Sequence, residues 1–123
     1  MSFIVPKGKT GLARLLSASM CSLKGLAAAF RHEDAFRMDV LLALVLIPTA
    51  LLLDLAALQK ALLVSSVLLV LIVELVNSAI EAAVDRISLE RHPLAARAKD
   101  IGSAAVLVSL LNLCCVWLLV LRG

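Results

Sequence analysis

The chain has 123 residues and a net charge of +3, and 63% of its residues are hydrophobic. A soluble domain contains about 45–50% apolar residues, and a single domain this short has too much surface to bury a larger share. The composition therefore excludes an ordinary soluble protein and indicates an all-α integral membrane protein of one domain, 1–123, whose basic residues contact lipid headgroups and not nucleic acid.

The N-terminal part of the chain predicts an amphipathic helix at about 10–30. Apolar side chains recur there at helical spacing, between serines and basic residues: Leu12, Leu15, Leu16, Leu23, Leu26 and Phe30. A helix with one apolar and one polar face lies flat on a membrane surface. We therefore expect a surface helix before the first membrane span.

Three apolar segments predict transmembrane helices at about 34–54, 58–86 and 95–121. Only the third has an uncharged run that reaches the roughly 20 residues needed to cross a bilayer core. The first two must therefore keep their polar ends inside the protein. No strand-like alternation indicates a membrane β-barrel.

The basic residues predict the orientation of these helices. Six Lys or Arg residues precede Val40, four lie between the second and third segments, and only Lys60 and Arg122 lie on the opposite side. Cytoplasmic connections are enriched in Lys and Arg. We expect a cytoplasmic N-terminus and a C-terminus on the outer face.

The end of the second predicted span carries polar residues on one helical face. They recur at steps of three and four and fall within about 100° around the helix axis: Glu74, Asn77, Ser78, Glu81 and Asp85. Charged residues near a bilayer are expensive, which favours a functional role. A structural alternative for Glu81 and Asp85 is an exposed helix end paired with Arg86 and Arg97.

More polar residues are expected at the same membrane face. They precede the first span or open the third: Glu33, Asp34, Asp39, Arg97, Lys99, Asp100 and Ser103. Carboxylates gathered with basic residues suit Mg²⁺ and phosphates. No complete nucleotide motif is present, since the segment 8–10 has only the tail of a P-loop. The residues alone thus indicate an interfacial site for a metal and an anionic ligand.

Two longer segments, 74–85 and 98–105, resemble the signature of the bacterial membrane-embedded diacylglycerol kinase family, and the resemblance extends to 24–26 and 33–37. It implies a homotrimer of three-span subunits in the bacterial inner membrane, with a periplasmic C-terminus. The resemblance also implies that active sites are shared between neighbouring subunits. The implied reaction transfers the γ-phosphate of ATP to diacylglycerol, with Mg²⁺ as cofactor, and gives phosphatidic acid.

The resemblance also implies residue roles. Glu74 matches the catalytic base, and Glu33 and Glu81 match the metal-binding carboxylates. Asn77 matches a supporting polar residue beside these carboxylates and belongs with Glu74 to the catalytic set. The positions that match nucleotide contacts are Arg14, Cys21, Glu33, Glu81, Glu90, Arg91, His92, Lys99 and Asp100. The positions that match contacts to the lipid substrate are Arg14, Asp39, Glu74 and Ser103. The chain departs from the family pattern at Cys21, Leu23, Asp39 and Arg91.

Two other functions compete with this interpretation. Related family members with the same motifs phosphorylate a long polyprenol, undecaprenol. A channel or transporter subunit would use Glu74 as an ion or proton site, but transporter carboxylates sit near the midplane and these extend to the interface.

Structural alternatives also stand for single residues. Lys99 could pair with Asp100, Arg14 could anchor a lipid headgroup, and His92 could be an ordinary loop residue. Ser103, like Ser65 and Ser66, could bond to its own helix backbone. We also expect a lone subunit to expose Glu74 and Asn77 near lipid, which favours an oligomer.

Overall fold

The computed structural model describes residues 10–123, and this part of the chain forms four α-helices. Their bounds are α1 Gly11–His32, α2 Asp34–Leu52, α3 Ala57–Ile87 and α4 Pro93–Arg122. The all-helical prediction is confirmed. Most of the P-loop-like segment 8–10, with the basic residues Lys7 and Lys9, lies outside the described residues.

Helices α2, α3 and α4 are each long and apolar enough to cross a membrane. The 19 residues of α2 extend over about 29 Å, close to the hydrocarbon thickness of about 30 Å. The 31 residues of α3 and the 30 of α4 extend over about 45 Å. Each of these two helices therefore has a segment that reaches beyond the hydrocarbon core.

Helix α3 is the centre of the bundle and packs against α1, α2 and α4. Its Leu63, Val67 and Val70 are the largest fully buried side chains. On α2 the buried positions include Ala43 and Ala50, and small residues let membrane helices approach closely. Most other large apolar side chains are exposed, as expected where lipid is the solvent.

The corner between α1 and α2 is held by Arg37. Its Nη1 donates to the carbonyl oxygens of Phe30 at 2.8 Å and Arg31 at 2.9 Å, and its guanidinium pairs with Asp34. Carbonyls in the last turn of a helix have no partner within the helix, so Arg37 satisfies the end of α1. Glu33 is the single residue between the two helices, and this contact fixes its place at one end of the bundle.

The α2–α3 connection closes the opposite end. Lys60 Nζ donates to the carbonyl oxygen of Leu51 at 2.8 Å, and Gln59 Oε1 accepts from the backbone N–H of Ala56 at 3.0 Å. These bonds satisfy backbone groups at the end of α2 and the start of α3. The predicted site residues of α2, α3 and α4, with Glu33 at the α1–α2 corner, lie towards the other end of the bundle.

One buried polar contact joins α3 to α4. Ser66 is 3% exposed, and its Oγ donates to the carbonyl oxygen of Leu63 at 2.7 Å and accepts from Trp117 Nε1 at 3.1 Å. The prediction that this serine bonds to its own helix backbone is confirmed. Both polar side chains have partners, which avoids the free-energy cost of an unpaired buried group.

Candidate active site

The polar residues predicted for the site come from every helix at one end of the bundle. Glu33 lies at the α1–α2 corner, and Asp39 lies one to two turns into α2. The polar face of α3, from Glu74 to Asp85, ends near the loop 88–92. Lys99 lies in the second turn of α4. The antiparallel course of α3 and α4 thus brings separate stretches of sequence to the same level of the bundle.

Glu74 is the buried carboxyl group of this end. Its residue is 5% exposed, and its side chain forms a hydrogen bond with that of Asp39 across the α2–α3 contact. The two carboxyl groups are therefore in direct contact between α2 and α3. Glu33 and Glu81 add negative charge around Glu74.

The expectation that a lone subunit exposes Glu74 to lipid is wrong. Helix α2 covers this side chain within a single chain, because Asp39 lies against it. Asn77 is only half-buried. Burial of Glu74 therefore does not by itself require a second subunit.

Asn77 orients the carboxylate of Glu81, one turn further along α3. Its Nδ2 donates to Glu81 Oε1 at 3.1 Å, as the spacing of four residues allows. Its Oδ1 is buried without a hydrogen-bond partner in the described part of the chain. The amide oxygen lies against Gly102 of α4.

Lys99 forms an ion pair with Asp85 that bridges α4 and α3. Lys99 Nζ lies 2.7 Å from Asp85 Oδ1, and both side chains are nearly half exposed. The structure thus differs from two alternatives drawn from the sequence: Lys99 does not pair with Asp100, and Asp85 pairs with Lys99 and not with Arg86 or Arg97. Because α3 and α4 are antiparallel, their side chains meet across the loop.

The loop 88–92 lines a cavity of about 460 Å³ beside this ion pair. Glu90, Arg91 and His92 contribute to its wall, with Asp85 and Lys99. His92 Nδ1 accepts from the backbone N–H of Leu94 at 3.1 Å and so caps α4, in front of Pro93. The cavity therefore combines a fixed imidazole with both charges of the ion pair.

The remaining predicted residues lie apart from Glu74. Arg14 is exposed in the first turns of α1, and Asp100 and Ser103 are exposed on α4. No hydrogen bond or ion pair joins these three residues to Glu74 within residues 10–123. Cys21 is half-buried on α1. One chain therefore gathers Glu33, Asp39 and Glu81 around Glu74, and the loop residues around Lys99, but it does not bring Arg14, Asp100 or Ser103 to Glu74.

A metal site would depend on ligands from outside the chain. Within the described residues, no group of three or more His, Cys, Asp or Glu side chains is arranged to hold a metal ion. Glu33 and Glu81 nevertheless both lie near Glu74. Mg²⁺ is commonly held by one or two carboxylates together with substrate phosphates, and the donor set present here fits that pattern.

Besides the burial of Glu74 against Asp39, two further features of the site were not predicted from the sequence. One is the pairing of Asp85 with Lys99, and the other is Gly102, the glycine against which Asn77 packs. An isolated glycine within an apolar helix pattern signals a close packing contact, so Gly102 could have been found. The Asp85 pairing depends on the relative register of two helices, which periodicity within one helix does not contain.

Known proteins with similar sequences belong to one family. Residues 20–121 match the family model for prokaryotic diacylglycerol kinase. The chain is 57% identical over 117 residues to the diacylglycerol kinase of Pseudomonas aeruginosa, covering 95% of each chain. It is 48% identical over 112 residues to that of Escherichia coli K12, covering 91% of this chain and 92% of the relative. A third relative, the diacylglycerol kinase of Helicobacter pylori 26695, is 44% identical over 115 residues, covering 94% of this chain and 90% of the relative. The chain belongs to the prokaryotic diacylglycerol kinase family.

Proposed function

We propose that the protein is a lipid kinase that transfers the γ-phosphate of ATP to diacylglycerol at the membrane interface and produces phosphatidic acid. The observation that carries this proposal is the buried Glu74–Asp39 pair, at the same end of the bundle as Glu81 and Lys99. The similarity to proteins named diacylglycerol kinase over 90% or more of the chain supports it.

The proposed reaction uses Glu74 as the general base. The lipid hydroxyl oxygen forms a bond to the γ-phosphorus, the bond between that phosphorus and the β,γ-bridging oxygen breaks, and ADP leaves. The hydroxyl proton passes to a Glu74 oxygen. Phosphoryl transfer needs mainly positioning, charge neutralisation and one base near the attacking oxygen. Asp39, in contact with Glu74, is placed to accept that proton next.

The nucleotide would lie towards α4 and the loop 88–92. Lys99 supplies a positive charge for the phosphates, and the cavity beside it has a volume of about 460 Å³, within the usual range for a small-molecule site. Glu33 and Glu81 would hold Mg²⁺, whose role is to neutralise the charge of the phosphates. The hydrogen bond from Asn77 Nδ2 would orient the Glu81 carboxylate.

Three further features complete the proposal. The exposed apolar side chains of α1, with Arg14 and Lys24 on the same helix, favour a position on the membrane surface. The excess of basic residues at the site end of the bundle favours the cytoplasmic side of the bacterial inner membrane. A homotrimer is proposed from the family resemblance, and it would allow Arg14, Asp100 or Ser103 of one subunit to complete a neighbour's site.

The experiment that tests this function is a phosphorylation assay in mixed micelles. Purified protein is incubated with radiolabelled ATP, Mg²⁺ and either diacylglycerol, undecaprenol or no added lipid. We expect labelled phosphatidic acid to dominate. Preference for undecaprenol would reassign the substrate, and absence of lipid phosphorylation with every lipid would leave the channel or transporter interpretation.

A further inference from the structure

Helix α4 approaches α3 closely at Gly102. Gly102 is one of only two buried residues on α4, although that helix has 30 residues. A methyl group at this position would overlap Asn77 Oδ1 and would lie 3.2 Å from Asn77 Cγ. The space that a side chain would occupy at position 102 is therefore filled by the amide of Asn77.

The packing against Gly102 and the bond to Glu81 together fix the orientation of the amide. With Oδ1 against Gly102, Nδ2 points along α3 and donates to Glu81 Oε1 at 3.1 Å. If the amide were turned over, its oxygen would face the Glu81 carboxylate oxygen and repel it. The buried Oδ1 has no hydrogen-bond partner among residues 10–123. Close packing against Gly102, and not a hydrogen bond, therefore holds this oxygen.

We propose that Gly102 is a positioning residue that acts through Asn77 on the carboxylate of Glu81. The absence of a side chain at position 102 lets the amide lie flat against α4 and direct its N–H to Glu81. This proposal rests on the proposed function only where Glu81 is taken as a metal ligand. The orientation itself is a property of the chain without substrate.

The consequence would appear at the metal. A group that bonds to a metal ligand sets that ligand's orientation, and its loss typically lowers metal affinity about 10- to 100-fold. Adding a methyl group at position 102 forces the amide to rotate or α4 to move away from α3. In either case Glu81 loses the donor that orients it, although neither Glu81 nor Asn77 has been changed.

The test compares Gly102→Ala with Gly25→Ala. Gly25 is also a helical glycine, on α1, and a methyl group there would meet nothing within 4 Å. Both changes raise helix propensity equally. An effect on the Asn77 resonances or on the Mg²⁺ requirement that is seen only in Gly102→Ala must therefore come from the packing. The first measurement needs no substrate: the side-chain amide resonances of asparagine-labelled protein in detergent. The chain has only two asparagines, Asn77 and Asn112, which makes the assignment direct.

We expect the Asn77 amide resonances to shift in Gly102→Ala and in Glu81→Gln, and to stay unchanged in Gly25→Ala. We also expect Gly102→Ala to raise the Mg²⁺ concentration for half-maximal activity about 10- to 100-fold. In an Asn77→Ala background the added Gly102→Ala change should alter it less than about twofold, because no amide remains to be displaced. Unchanged Asn77 resonances in a folded Gly102→Ala protein would overturn the proposal.

A misfolded Gly102→Ala protein would still be informative. If the double variant Asn77→Ala, Gly102→Ala folds, the clash is with Asn77 and the proposal stands. If the double variant misfolds as well, Gly102 is needed only for the close approach of α4 to α3, and the proposal fails. Lack of kinase activity in the unsubstituted protein would instead reject the proposed function and leave the resonance test of Gly102 intact.

Discussion

Lys99 Nζ and Asp85 Oδ1 lie 2.7 Å apart and join α4 to α3 at the edge of the loop cavity. The Asp85 carboxylate therefore holds the ammonium group that the proposed mechanism assigns to the phosphates. Because both side chains are nearly half exposed, this ion pair contributes little to stability. Its place beside the cavity favours a role in directing Lys99.

Removal of the ammonium group should weaken nucleotide binding. Lys99→Met should raise the KM for ATP about 10- to 100-fold, the range expected when a charged hydrogen-bond partner is lost. Asp85→Asn should change the same KM less than about fivefold, since Lys99 keeps its charge and the pair is exposed. ATP-dependent initial rates at saturating lipid give both values.

Arg122→Gln provides the charge-matched control, because it removes one positive charge at the far end of α4. Its KM for ATP should stay at the value of the unsubstituted protein. If Lys99→Met also keeps that KM, Lys99 has no role in nucleotide binding and serves only as the partner of Asp85.

The two carboxylates assigned to the metal should respond alike to neutralisation. Glu33→Gln and Glu81→Gln should each raise the Mg²⁺ concentration needed for half-maximal activity, by about tenfold or more, because Mg²⁺ prefers anionic oxygen ligands. Binding of a non-hydrolysable ATP analogue in the presence of Mg²⁺ should weaken in parallel. Calorimetric titration of the analogue at several Mg²⁺ concentrations measures this.

Glu90→Gln is the control for this pair, since Glu90 lies in the loop 88–92 and is exposed. It should leave the Mg²⁺ requirement unchanged even if the affinity for nucleotide falls. Normal Mg²⁺ dependence in both Glu33→Gln and Glu81→Gln would refute the metal assignment.

The bond between Ser66 and Trp117 offers a prediction about stability. Ser66→Ala removes the acceptor of the half-buried indole N–H and should lower the free energy of unfolding by about 1–3 kcal/mol, the cost of a donor left unpaired away from water. Trp117 is the only tryptophan in the chain. Its fluorescence during thermal unfolding in detergent therefore reports both the transition and the change around the indole.

The neighbouring Ser65 is exposed, so Ser65→Ala makes the same chemical change without removing this contact. It should match the unsubstituted protein in emission spectrum and in unfolding temperature. Equal unfolding temperatures for Ser66→Ala and Ser65→Ala would show that the indole bond does not stabilise the helix pair.

Much of this arrangement follows from one-dimensional patterns. Apolar runs predict the three long helices, and the steps of three and four from Glu74 to Asp85 predict one polar face, because both properties repeat within a single helix. The motifs also predicted that Glu33, Glu81 and Lys99 belong to one site. These features depend on residues that are close in sequence or on a known family pattern.

The contacts between helices could not be predicted in the same way. Asp39 faces Glu74, Lys99 faces Asp85 and Gly102 faces Asn77, and each pairing depends on the axial register of two helices. Shifting α2 or α4 by one turn along α3, about 5.4 Å, would keep every periodic pattern and break the contacts that the shifted helix makes. The burial of Glu74 was missed for this reason.

Membrane orientation gives a prediction that needs no purified enzyme. A reporter fused after Gly123 should be active only on the periplasmic side, and one inserted after Glu90 only in the cytoplasm. Ten of the twelve Lys and Arg residues lie on the side assigned to the cytoplasm, and this bias sets orientation. Paired phosphatase and fluorescent reporters, which work on opposite sides, measure it. The reverse pattern would separate Glu74 and Lys99 from cytoplasmic ATP.

The last prediction concerns Glu74 as the base. Glu74→Gln keeps the size of the side chain and its ability to hydrogen-bond with Asp39 but removes the basic oxygen. It should lower kcat by at least about 100-fold, the low end for general base catalysis, while Mg²⁺-dependent nucleotide binding and the unfolding temperature stay close to normal. Asp39→Asn should lower kcat less than Glu74→Gln does, because Glu74 remains as the base.

The outcome distinguishes a chemical role from a structural one, since Glu74 is buried and could be needed for packing alone. A structural role predicts that Glu74→Gln unfolds at lower temperature and that activity falls only in proportion to the folded fraction. Stopped assays at saturating ATP and diacylglycerol, normalised to folded protein, separate the two. A folded Glu74→Gln protein that binds nucleotide and turns over at the normal rate would exclude Glu74 as the base. Asp85 and Asp100 would then be the next candidates, since both lie at the same end of the bundle, where the nucleotide is proposed to bind.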